Sequence, residues 1–296
     1  MEWRERPVSR GGLQRGGVME RGPQQLDLFA GPPPSDPGVR RRAVDAAALG
    51  DGTLIAALPG ASQTDAPALA EECGRRKLVA AVPALEALCR RFKGFGLHAA
   101  VPEQRAALSG LRGIGGAAAA EAVVRLLAGA VVQGPGLTLA VAAAASLGAR
   151  LPEPLALICL RHPDPATRAD ACRCARASSG VVGILVELLS DLHPTVADAA
   201  ACALGRAGRA EGRTRLARCL VQTPSVEGIT AFAAVADDDG VVLLGRLALS
   251  HPVFSAAVLT ALETIDTERA AVVAEGMRRR VANGAGPLRE DWDGER

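Results

Sequence analysis

His162, His193 and His251 each stand immediately before a proline. They recur with a turn and do not cluster, whereas zinc ligands need tighter grouping. The seven cysteines form no CxxC pair. Cys172 and Cys174, two apart on a helix, fall on nearly opposite faces. Most cysteines lie in apolar runs, where a free thiol behaves as a small hydrophobe. An odd number without a signal peptide predicts reduced core thiols in a cytoplasm. Asp237-Asp238-Asp239-Gly240 has the start of a calcium loop but lacks the closing Glu, so helix capping is the expected role. Gly113, Gly115 and Gly116 lack the Lys-Ser/Thr of a phosphate loop, and no strand precedes them. With no paired acid and base, no catalytic residue, cofactor or metal is expected.

Basic side chains cluster at Arg40 to Arg42, at Arg75, Arg76 and Lys77, at Arg90, Arg91 and Lys93, and at Arg278 to Arg280. Such clusters can track phosphates. Aromatic stacking partners are scarce: aromatics make up 2% and Tyr is absent. Trp3 and Trp292 lie in the tails, while Phe92, Phe95, Phe232 and Phe254 read as core. With a net charge of +2, solvated helix faces explain the clusters better than nucleic-acid binding.

The elements that carry these residues follow from composition. Hydrophobic residues reach 49%, and with so few aromatics the apolar mass is Ala, Leu and Val. That mixture suits helices packed at close range, and Ala is the strongest helix former. No uninterrupted run of 18 apolar residues occurs, so no membrane span is expected.

Proline punctuates the chain. Pro102, Pro135, Pro165, Pro194, Pro224 and Pro252 are separated by 33, 30, 29, 30 and 28 residues, and Pro67 marks a weaker, earlier unit. Nine residues after each of the six stand Leu111, Ala144, Cys174, Ala203, Ala233 and Ala261. Six residues after stand Leu108, Val141, Ala171, Ala200, Thr230 and Val258. This spacing puts one apolar face on a helix. Proline suits the first helical position, where its missing N–H would have no partner. Each proline therefore predicts the start of a second helix in a pair. The preceding apolar runs, such as Val182 to Leu189 and Val241 to Leu249, predict the first helices. Glu268 to Arg280 predicts a closing helix.

The stretch Leu185 to Asp191, His193-Pro194-Thr195-Val196 and Ala199 to Gly205 resembles HEAT-like repeats. Leu160-Arg161-His162-Pro163 through Arg168-Ala169-Asp170-Ala171 is similar. The resemblance covers roughly residues 60 to 282. It departs from the family at the Arg expected three residues after the Pro, which is present only as Arg105 and Arg168. The resemblance implies an all-α fold, a right-handed α-solenoid of about six to seven helix pairs over residues 43–282. The Pro-, Gly- and Arg-rich residues 1–42 read as a disordered arm and the polar residues 283–296 as a disordered tail.

Within the arm, Gln25, Leu26, Asp27, Leu28 and Phe29 resemble the pentapeptide with which many bacterial replication and repair proteins dock on the sliding clamp. Leu28 and Phe29 would enter a pocket and Gln25 would hydrogen-bond at its edge. Their full burial would contribute roughly 3–6 kcal/mol before the ordering cost. The competing reading has the same apolar patch cover the exposed end of the first repeat.

These readings point to a non-enzymatic protein-binding scaffold, with an unidentified partner on the concave face of second helices. The first alternative is a replication- or repair-associated protein docking on the clamp through residues 25–29. A further alternative is a protein similar to the bilin-lyase branch of HEAT-like proteins.

Overall fold

The computed structural model describes residues 44–92 and 98–282. All of the regular structure among them is helical. The helices are α1 (Asp51–Ala57), α2 (Ala66–Arg75), α3 (Val82–Arg90), α4 (Pro102–Ile114), α5 (Gly116–Ala128), α6 (Pro135–Ser146), α7 (Glu153–Leu160) and α8 (Pro165–Cys174). They continue with α9 (Ser179–Leu188), α10 (Pro194–Arg206), α11 (Arg213–Gln222), α12 (Val226–Ala233), α13 (Asp238–Ser250), α14 (Ser255–Leu262) and α15 (Glu268–Ala282).

Proline starts α4, α6, α8 and α10 at the first helical residue. The last two units differ. Ser225, one residue after Pro224, caps α12 by accepting from the Gly228 N–H. Pro252 opens a 3-10 turn ahead of α14. The shift at α12 explains the one polar residue in the sixth-position series: Thr230 is exposed, and Ile229 and Phe232 fill the core instead. Every ninth-position residue is buried. Other starts are capped by side chains. Asp164 accepts from the Thr167 N–H, Ser178 from Val181 and Asp237 from Gly240, each satisfying a donor the helix leaves open.

Packing follows a regular order. Each even-numbered helix from α4 to α12 lies against the helix before it and against the next even-numbered helix on either side, and α14 lies against α13 and α12. The chain α2, α4, α6, α8, α10, α12, α14 is thus in contact at every step. Among the odd-numbered helices, α3 packs on α5, α7 on α9, α11 on α13, and α13 on α15. Close approach in the even layer depends on glycine. A Cβ on Gly113 would lie 2.7 Å from the Gly74 Cα, and one on Gly205 would lie 2.5 Å from the Ala231 carbonyl oxygen. The turn from α4 to α5 uses Gly115 and Gly116 at φ of 77° and 76°, where a side chain would be strained.

Two groups of buried side chains result. One runs from Ala46 to Leu204 and the other from Ala201 to Met277. Helix α10 contributes to both, and the partly buried Leu189 touches both. Among the described residues no single helix is long and apolar enough to cross a membrane. The apolar run from Asp238 to Leu262 is bent by 120° between its two helices.

Candidate functional surface

The pentapeptide Gln25, Leu26, Asp27, Leu28 and Phe29 lies outside the described residues, as do Arg40 to Arg42, Lys93 and Phe95. The surface that can be built from the residues upward is the outward side of the even-numbered helices. Helical periodicity buries two positions per turn and leaves a narrow exposed row. On α4 that row is Arg105, Ser109 and Arg112; on α10 it includes Thr195 and the half-buried Asp198 and Cys202. On α12 it includes Glu227 and Thr230, and at α14 Thr260 and the C-capping Glu263. The row is polar, mixing short side chains (Ser109, Thr195, Thr230, Thr260) with Arg and Glu. Its charge changes along the chain: Arg105 and Arg112 have no ion-pair partner among the described residues. Glu227 and Glu263, in contrast, are paired with Arg206 and Arg278 at 2.5 and 2.7 Å.

One cleft interrupts the row, between α10, α11 and the start of α12. It encloses about 200 Å³ and is lined by Arg173, Asp198, Cys202, Cys219 and Glu227 among others. The Asp198 carboxylate accepts from Arg215 Nε at 2.7 Å and from the Cys219 thiol at 3.1 Å. Burial pushes the Cys202 thiol up to about 11 and, together with the hydrogen bond to Asp198, Cys219 up to about 12. Both stay protonated at neutral pH and are poor nucleophiles. Asp198 and Cys202 are four apart on α10, but no spacing in the sequence pairs them with Cys219, which α11 brings in across a turn.

The basic clusters are largely engaged within the fold. Arg75 and Arg76 both hold Glu72, and Arg76 also pairs with Asp51 and donates to the Leu49 and Ala47 carbonyls. Arg90 pairs with Glu86, and Arg91 donates to the Ala61 carbonyl. Arg278 and Arg279 pair with Glu275. Such cations have less charge available for phosphates. Phe92 corrects the expectation that it is core. It is 41% exposed, with the Arg91 guanidinium 5.0 Å from its ring centre. Phe232 is buried and Phe254 partly so.

The histidines serve turns. His162 Nδ1 accepts from the Asp164 N–H, and His193 donates its backbone N–H to Asp191. Asp191 in turn receives both Nε and a terminal nitrogen of Arg168, at 2.9 and 3.0 Å. That fork ties α8 to the turn between α9 and α10, and it holds the Asp191 carboxyl below the usual range. Arg105, the other arginine at the same offset from a proline, makes no such pair among the described residues. Among the described residues no group of three His, Cys, Asp or Glu side chains is placed to hold a metal ion. No protein-family model and no curated protein matches this sequence.

Proposed function

We propose that residues 43–282 form a right-handed, HEAT-like α-solenoid and that the protein is a non-enzymatic scaffold binding a protein partner on its concave face. The observation that carries this reading is the unbroken even-helix layer. Its helices touch at every step, while contact among the odd-numbered helices is sparser. In a stack of helix pairs the more closely spaced layer is the inner side of the curve. The row from Arg105 to Glu263 would then line a concavity, the binding surface such arrays provide. Its polar side chains can hydrogen-bond a partner, and Arg105 and Arg112, unpaired among the described residues, favour an acidic segment at that end. The seven unpaired thiols support a reducing, cytoplasmic setting.

An affinity pull-down tests this with three chains: the full sequence, an Arg105→Glu/Arg112→Glu variant, and a chain lacking residues 1–42. A partner lost with the double variant and retained without the arm supports the scaffold reading. The reverse pattern sinks it and shifts weight to the arm.

The pentapeptide favours a second reading, docking on the bacterial sliding clamp. A peptide spanning residues 20–34 should bind purified clamp, and a Leu28→Ala/Phe29→Ala peptide should not. No binding of the first at high micromolar concentration removes the idea.

A further inference from the structure

Helices α13 and α15 leave an open apolar groove between them. It holds about 180 Å³, and Val242, Leu249, Val272 and Val273 form its walls. Gly276, where a Cβ would meet nothing within 4 Å, leaves it open, while Gly245 sits close against Val273. Arg246 and Arg280 stand on its rim, and neither has an ion-pair partner among the described residues. The groove is therefore apolar inside and positive at its edge.

The chain beyond α15 carries the complementary chemistry. Residues 283–296 contain one aromatic side chain, Trp292, among the carboxylates Glu290, Asp291, Asp293 and Glu295. A cavity of roughly 150 Å³ takes one benzene-sized ring, so the groove has the size for one indole edge. Rim arginines can meet flanking carboxylates in charge-assisted hydrogen bonds. Reach is ample. From Ala282 back to Val272 is about 15 Å along the helix, while the link from residue 283 to Trp292 can extend about 30 Å. Gly284 and Gly286 tolerate the backbone angles that a reversal of direction needs.

We propose that the groove between α13 and α15 is a docking site for the protein's own C-terminal segment, with Trp292 seated between the helices and its acidic neighbours on Arg246 and Arg280. Docking covers the last helix of the array, which has no following helix among the described residues to bury its outer side. The same groove would accept an acidic peptide with an aromatic anchor from a partner only by displacing this segment.

The test uses the full chain with Trp3→Phe, which leaves Trp292 as the sole indole. Its fluorescence should be blue-shifted and shielded from acrylamide, and unchanged on dilution from micromolar to nanomolar protein. Arg246→Glu/Arg280→Glu should move the emission to the red and raise quenching several-fold. A Gly276→Leu variant projects into the groove from a position where a Cβ meets nothing within 4 Å, and it should expel the indole in the same way. Circular dichroism confirms that each variant is folded. An indole that emits as a fully solvated one in the parent chain overturns the proposal. So does an emission that ignores both variants. Shielding that disappears on dilution assigns the groove to a second copy and overturns it equally.

Discussion

Glu72 shows how individual charges are used in this protein. Its side chain is 9% exposed and receives Nε and a terminal nitrogen of Arg75, at 2.8 and 2.6 Å, and Nε of Arg76 at 2.5 Å. These hydrogen bonds, from Arg75 first and then Arg76, lower its carboxyl from the ordinary 4.5 to about 2. The unfolded chain therefore takes up this proton at higher pH than the folded one. The stabilisation is complete above pH about 4.5 and is lost as the pH falls through about 2. Glu72→Gln should lower the urea midpoint at neutral pH, and the gap from the parent should shrink steadily below pH about 4.5. A gap that stays constant to pH about 2.5 would show that the pairs add nothing to stability. At this scale the sequence was partly legible. Asp237-Asp238-Asp239-Gly240 reads as a cap from its position before an apolar run, and Asp237 does cap α13. The pairing of Arg75 and Arg76 with Glu72 was open to reading too, since the spacing of three and four is a helical one. The cleft of Asp198, Cys202 and Cys219 was not, because it depends on how two helices meet.

Helix against helix, the decisive residues are the smallest. Even-layer helices approach so closely at Gly205 that a Cβ there would lie 2.5 Å from the Ala231 oxygen and 2.7 Å from Leu216 Cδ1. Backbone cannot move aside as a flexible side chain can. Gly205→Ala should therefore cost about 1–3 kcal/mol by forcing α10 away from α12. Gly183, in the middle of α9, has nothing within 4 Å of its would-be Cβ. There the same substitution should stabilise by about 0.5–1 kcal/mol, since alanine favours the helix. Chemical denaturation of both variants checks the opposite signs, and equal effects would show that α10 and α12 are not in tight contact. The spacing of prolines located these helices to within a few residues, because proline at the first helical position is a local preference. It missed the two-residue offset at α12, where Ser225 supplies a stronger cap than the residue before Pro224 could. Glycine's role as a spacer was also out of reach. In the sequence a packing glycine such as Gly205 looks the same as a turn glycine such as Gly115.

On the scale of the whole chain, the two groups of buried side chains meet at α10 and Leu189. Helix contacts run between neighbours within the even and odd series, and in the proposed stack damage should spread over neighbours before it reaches the far end. Among the described residues Phe232 is the largest fully buried side chain, 2% exposed in the second group, and its ring borders Gly240. Phe232→Ala should remove about 3–5 kcal/mol from that group through lost burial and the cavity left behind. In native-state hydrogen exchange, amides of α11 to α15 should then exchange much faster. Amides of α2 to α6, with no side chain in the second group, should keep nearly their parent protection. A uniform loss of protection from α2 to α15 would mean that the chain unfolds as one cooperative body. That result would weigh against a stack of nearest-neighbour units, since a globular core transmits a cavity at one end to every helix it contains.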